Sequence, residues 1–290
     1  MYNKNYRLSL YLFAAAGLLI FSGCAIEPPK QIEVVPGKSS VTEALSVLKA
    51  RSEKAVPLLA RGRCVFEFYD TESKKRKKEQ LAVLVLMQPP IEIYLQGDAT
   101  LLKKALILGS NEREFWLLLR PNEISTYWWG MWSEQESYEE GLMINPKTLF
   151  EALGFLDIES EENWSLSSKG INDILTQRNR GIVIKKMHIS KYGYLINKIE
   201  YFSSSGKALA MAELKNYKKL AGGFCVPASI KITTYKQEDG AEPLGITFDL
   251  ATIKPKELSE RQQSVFERPP PEGFKHVLRN EGEKWIKENQ

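Results

Sequence analysis

The strongest constraint in this chain is a period-two alternation of apolar and polar residues that recurs in one short segment after another. Leu244, Ile246, Phe248 and Leu250 alternate with Gly245, Thr247, Asp249 and Ala251, the pattern of a strand with one buried face. Cys64, Phe66 and Phe68 alternate in the same way, as do Ile91, Ile93 and Leu95. Residues 104–109, 113–119, 124–132, 171–177, 181–189, 194–202, 208–216 and 225–236 read as further strands, separated by turn-forming residues such as Ser204-Ser205-Gly206. Leu81–Met87 is apolar on both faces, so that strand is expected to be covered on both sides. Residues 72–79, rich in charge, read as a hairpin tip, and 157–169 as a loop. Two helices are expected. Ser40-Val41-Thr42-Glu43 fits a capping box, followed by Val41, Ala44, Leu45 and Leu48 on one face over 40–56. Pro146 and Gly154 bracket a short second helix. The fold class is therefore mainly β (α+β): a curled antiparallel sheet, or incomplete β-barrel, of about eleven strands with a few covering helices. Large open antiparallel sheets curl, and a curled sheet leaves an inner face to be filled, for which the two helices are the candidate plugs.

Composition narrows the chemistry more than the fold. The 290 residues are 43% hydrophobic and 26% charged, ordinary globular proportions that exclude a disordered, collagen-like or multi-pass membrane chain. A formal charge of +4 gives no argument for nucleic acid. The 2 histidines, His188 and His276, lie far apart in the sequence, so a multi-histidine metal site is not expected. Neither G-x-S-x-G, H-E-x-x-H nor a glycine-rich phosphate loop occurs. No catalytic residue, metal or cofactor is expected.

The amino terminus carries an address. Lys4 and Arg7 precede an apolar run from Leu8 to Phe21, shorter than the roughly 20 residues that span a bilayer and suited to the core of a secretory signal. Phe21-Ser22-Gly23-Cys24 follows. It resembles the lipobox of bacterial lipoproteins, which implies cleavage after residue 23 and acylation of Cys24. Ala25 rather than Asp after the cysteine implies, by the enteric sorting rule, the outer membrane. The expected organisation is a signal peptide over 1–23, the lipidated cysteine and a proline-bearing tether over 24–38, one domain over 39–275, and a polar tail over 276–290 read as a loosely held helix. Two cysteines remain in the mature chain, Cys64 and Cys225. In an oxidising periplasm they are candidates for a disulfide, the alternative being two buried thiols.

Three segments together carry a family likeness: the early amphipathic helix leading into long strands; Glu112–Trp132, with Phe115-Trp116-Leu117, a turn and Tyr127-Trp128-Trp129-Gly130; and Lys198–Ile232, with Ile199-Glu200-Tyr201-Phe202, Lys215-Asn216-Tyr217, Gly222-Gly223 and Val226-Pro227-Ala228-Ser229-Ile230. The pattern resembles the LolA/LolB-like superfamily of bacterial lipoprotein-sorting proteins, and Phe266 with Pro269–Phe274 resembles their closing segment. The resemblance implies an incomplete barrel lidded by helices over an apolar cavity for acyl chains. Lipid-anchored members also carry a protruding loop with an exposed leucine. The corresponding hairpin tip here is Lys74-Lys75-Arg76-Lys77-Lys78, without an apolar residue.

The function expected from these features is non-enzymatic binding of an acyl chain, phospholipid or lipoprotein, driven by burial of about 0.8 kcal/mol per CH₂. Phe66, Phe68, Ile93, Phe115, Leu117, Trp128, Ile230, Ile232, Ile246 and Phe248 are the candidate cavity residues, chosen by alternation. An anchored interaction protein with a filled core and an envelope protein partner is the alternative. A carbohydrate-binding lipoprotein using the aromatic run Tyr127–Trp132 is a weaker third.

Overall fold

The structure is a computed structural model. It describes residues 36–70, 74–120, 125–132, 146–156, 158, 160–235, 243–281 and 284–288. The segment read as a signal peptide, Cys24 and most of the expected tether lie outside the described residues. Among those described, no helix is long and apolar enough to cross a membrane.

Fifteen strands form one sheet. In chain order they are β1 (Leu58–Asp70), β2 (Lys75–Gln88), β3 (Glu92–Asp98), β4 (Leu106–Ser110), β5 (Glu114–Leu119), β6 (Thr126–Met131), β7 (Trp164–Lys169), β8 (Asn172–Asn179), β9 (Ile182–Ser190), β10 (Ile196–Phe202), β11 (Ala208–Lys219), β12 (Cys225–Thr234), β13 (Leu244–Pro255), β14 (His276–Glu281) and β15 (Lys284–Lys287). Their spatial order is β15-β14-β6-β5-β4-β3-β2-β1-β13-β12-β11-β10-β9-β8-β7. Every neighbouring pair is antiparallel except β14 with β6, which is parallel. β7 and β15 are the two edges, so the sheet is an unclosed, curled barrel.

Three of these strands were not legible as strands. Residues 157–169 were expected to be loop, yet Trp164–Lys169 pairs with β8 throughout. Its two apolar residues, Trp164 and Leu166, are half-buried against the core, and the serines between them carry no apolar signal. Residues 276–290 were expected to be a loose helix. Instead β14 docks beside β6, burying Val277 and Asn280, because the edge of β6 offers unpaired backbone groups. The basic run is also not a tip: Lys75–Lys78 pair with Glu67–Asp70 as the first part of β2.

The inner face holds the main core. Alternation puts Cys64 and Phe66 of β1 inward, with Val83 and Val85 of β2 and Ile246, Phe248 and Leu250 of β13. In β13 the phase slips after Leu250, at a bulge opposite Arg61 and Gly62. A Cβ at Gly62 would lie 2.0 Å from the Asp249 carbonyl oxygen, which is why glycine stands there. Two helices cover this face, α1 (Val41–Ser52) and α2 (Pro146–Ala152). The Ser40 hydroxyl accepts from the Glu43 N–H as the pattern predicts, while the Glu43 carboxylate reaches back to Ser39. α1 buries Ala44, Leu45 and Leu48. α2 is buried nearly all round, including Thr148, Leu149, Phe150 and Glu151.

Part of the outer face of β2–β6 is also covered. A third helix, α3 (Glu260–Gln263), leads into a 3-10 turn whose Phe266 covers Leu59 and Leu86. Phe274 and Val277 then cover Ile107, Trp116, Leu118 and Tyr127. β2 is thus apolar on both faces because both faces are covered.

Candidate functional site

All ten residues singled out for the interior point to the inner face, and the fold brings them into one cluster. Phe66, Ile93, Phe115, Leu117, Ile230, Ile232, Ile246 and Phe248 are buried there, and Phe68 and Trp128 are half-buried against it. Phe66 and Phe68 stack with ring centres 5.2 Å apart. The same cluster contains Leu45 and Leu48 of α1 and Leu149, Phe150, Leu153 and Phe155 at α2. What lies against the ten side chains in this structure is therefore the protein's own pair of covering helices. No second strand-phase correction is needed: period-two alternation placed every one of them.

Both covers are tied at their ends. Arg51, at the end of α1, donates to the backbone carbonyls of Tyr194 and, at 2.8 Å, Gly193. The Ser52 hydroxyl accepts from the Leu156 N–H at 3.0 Å, joining α1 to the segment after α2. Asp173, fully buried, accepts from the Lys38 N–H at 2.7 Å and from the Ser168 hydroxyl at 2.9 Å. That contact fixes where the tether enters the domain, at the β7–β8 end of the sheet.

The two cysteines are free. Cys64 stands opposite Phe248, which stands opposite Ile230, five residues beyond Cys225. Two strand spacings and five residues separate them by about 10 Å across the sheet and about 16 Å along it, far beyond the roughly 7 Å between Cα atoms that a disulfide tolerates. Burial pushes the Cys64 thiol up to about 12.

The adjacent tryptophans face opposite ways. Trp128 packs against the inner cluster and Trp129 against the outer one. The Arg268 guanidinium lies 4.0 Å from the Trp129 ring centre and that of Arg279 5.2 Å. Its indole N–H donates to Glu288. The ring that could have stacked on a sugar is held instead by the chain's own carboxy-terminal strap.

One feature was missed in the sequence. The β3–β4 loop presents Leu101 at 98% exposure, with Leu102 beside it at 37%. Lys103 and Lys104 follow. Because Ala82 pairs with Asp98, this loop leaves the sheet at the same end as the β1–β2 tip and its basic run. The hairpin next to the one expected carries the exposed leucine. Leu101-Leu102 could have been noticed as two leucines in a turn, a position where apolar residues have nothing to bury against. On the outer face of β1, β13 and β12, at mid-strand, a separate depression of about 470 Å³ is lined by Arg63, Asn216, Ser229 and Asp249.

Solved structures share this architecture. A domain described as a "putative outer membrane lipoprotein-sorting protein domain" from Vibrio parahaemolyticus aligns with a TM-score of 0.51 at 12% identity, covering 79% of this chain and 98% of that one. The chain shares the fold of that domain. A DUF1329 family protein from Desulfovibrio piger has the same fold, with a TM-score of 0.50 at 10% identity over 79% of this chain and 98% of its own. A LolA superfamily protein from Nitrosomonas europaea aligns less closely, at 0.47 and 12% identity over 78% and 97%. No protein-family model matches the sequence, and no curated protein matches it. The three segments that carried the likeness are α1 leading into β1, β5–β6 and β10–β12, and the closing segment is the outer strap over the back of the sheet.

Proposed function

We propose that this chain is a lipid-anchored envelope protein of the lipoprotein-sorting fold that takes up an acyl chain, from a lipid or a lipoprotein, between the inner face of the sheet and α1 and α2, and exchanges it at a membrane surface. The observation that carries this reading is Leu101. A leucine at 98% exposure, followed by two lysines and set at the same sheet end as Lys75–Lys78, has the composition of a membrane-contacting tip. The apolar residue can enter the interface while each cation near an anionic surface contributes about 1 kcal/mol. The fold supports the inner face as the binding surface, and its apolar lining supplies the affinity without any bond being broken. The acyl group on Cys24 holds the protein at the membrane, facing the periplasm, with the outer membrane favoured by Ala25.

The tether enters at the sheet end away from Leu101. Residues 25–38, extended at about 3.1 Å each, reach some 40 Å, close to the length of β1 at about 3.3 Å per residue. The second reading, an anchored scaffold with a filled interior, is favoured by the close packing of α1 and α2 on the inner face.

The test is lipid exchange. The full chain, reconstituted in donor vesicles with a fluorescent-acyl phospholipid, is mixed with acceptor vesicles rich in phosphatidylglycerol. Transfer above the protein-free rate is expected, and Leu101→Glu should reduce it several-fold. Absence of transfer, together with no lipid recovered on extraction of the detergent-free protein, would establish the scaffold instead.

A further inference from the structure

One row of the inner face is not apolar. Gln177, Lys185 and Tyr201 stand directly opposite one another across β8, β9 and β10. Lys185 is 8% exposed and Tyr201 fully buried. Both are held by a residue that the covering helix α2 brings in. Glu151 accepts from the Lys185 ammonium at 2.8 Å through one carboxylate oxygen, and from the Tyr201 hydroxyl at 2.8 Å through the other. The ammonium also lies 5.7 Å from the Tyr201 ring centre. Thr148, one turn earlier on the same face of α2, is buried, and among the described residues its hydroxyl has no hydrogen-bond partner.

Stability does not explain this arrangement. An ion pair taken out of water loses most of its Coulomb gain to desolvation, and apolar residues of the same volume hold a helix at least as well. Leu149 and Phe150 of the same helix already do so. A cation and a hydroxyl converging on a two-oxygen anion within an apolar core match instead the head of an anionic amphiphile.

We propose that Lys185 and Tyr201 form the head-group site for an acyl ligand, and that Glu151 occupies it when no ligand is bound. The ligand class is a long chain ending in one anionic group, a carboxylate or a phosphate. On entry the ligand anion takes over the two hydrogen bonds, and Glu151 leaves for solvent with α2. One negative charge replaces another, so Lys185 is never left unpaired in the interior. The chain then lies along Leu175, Met187 and Ile199, which share the inner face with the row. The inference rests on the acyl-binding reading given above and adds to it a charge requirement and a fixed end.

The test uses the full chain in nanodiscs of phosphatidylcholine, labelled by light with two probes that carry the same diazirine on the same chain, palmitate and monopalmitoylglycerol. The native protein should be labelled on β8–β10 more strongly by palmitate than by the neutral glyceride. Glu151→Gln keeps the shape of the occupant and removes its charge, so palmitate labelling at limiting probe should rise about tenfold, the scale of a hydrogen-bonded charge, with a smaller change for the glyceride. Glu151→Gln combined with Lys185→Met leaves no unpaired charge and should erase the preference while still taking the glyceride, which also shows that this variant is folded. Stronger competition by lysophosphatidate than by palmitate would assign the head to a phosphate, and the reverse to a carboxylate. If both probes label all three proteins alike, or if Glu151→Gln fails to raise palmitate labelling, the ion pair is only structural and the proposal falls. If neither probe labels any protein, the acyl-binding reading itself falls.

Discussion

The two halves of the sheet bury their surfaces differently. Across β4–β6 both faces are covered: Leu108 and Leu117 point into the inner core, while Trp116 and Leu118 lie under the strap formed by Phe274 and Val277. Across β11–β13 only the inner face is dry. The outward positions there are Glu213, Lys215, Lys231, Thr247 and Asp249, which pair with each other across strands and meet solvent. A sheet half with two covered faces is a fixed wall. A half with one covered face depends on what lies over that face, and here that is α1 and α2. The buried charge cluster on β9 and β10 faces the same inner space. The molecule thus joins a wall covered on both faces to a wall covered on one.

Trp116→Ala tests the fixed wall most severely. The ring is fully buried beneath the strap, and so close to Gly109 that a Cβ there would meet it at 2.4 Å. Its removal leaves a cavity that two strands and the strap cannot all close, at a cost of about 3–5 kcal/mol. Lys215→Ala, at an outward position of the other half, should change stability by less than about 0.5 kcal/mol. Urea denaturation of both variants measures the contrast. Equal losses would mean that the outer strap is not part of the cooperative unit.

The strap's own fastening comes next. Arg268 donates to Glu114 at 2.7 Å and to the Tyr127 hydroxyl at 3.4 Å, and its plane lies over Trp129. Arg268→Ala should cost about 1–3 kcal/mol, because it leaves the half-buried Glu114 carboxylate without its cation. Arg268→Lys restores the charge without the planar fork and should recover less than half of that, again read by urea denaturation.

The contrast between the halves explains what the sequence could show. Alternation is strong wherever one face is apolar and the other polar, so β10–β13 and their interior residues Ile230, Ile232, Ile246 and Phe248 could be picked out by period alone. Where both faces are apolar, as in β2 and β5, the run reveals burial but not what does the covering. β7 was invisible because its outward residues and most of its neighbours are serines. β14 was invisible because its strand character comes from docking beside β6, a contact between residues about 150 positions apart. The Glu151–Lys185–Tyr201 cluster had no local signature: each residue sits in an otherwise ordinary segment, and only the placement of α2 over β9 and β10 joins them. Leu101 was missed for the opposite reason. Its exposure is a property of a loop, and no periodicity describes a loop.

The smallest effect concerns the cover itself. Glu43, in the first turn of α1, accepts from the Ser39 N–H at 2.9 Å and pairs with the Lys38 ammonium at 3.0 Å. The Ser39 backbone bond foremost, then the Lys38 ammonium, holds its carboxyl down at about 2. A group with a depressed folded value contributes stability above its unfolded value, near 4.3, and loses it as pH falls through the folded one. The Glu43→Gln variant should therefore melt slightly below the native protein at pH 6 and approach it between pH 4 and about 2. The site is exposed, so salt should shrink the difference. A gap in melting temperature that stays constant down to pH 2 would show that Glu43 acts through shape and not through charge, and that α1 is held over the inner face by its apolar side and by the hydrogen bonds of Arg51 and Ser52.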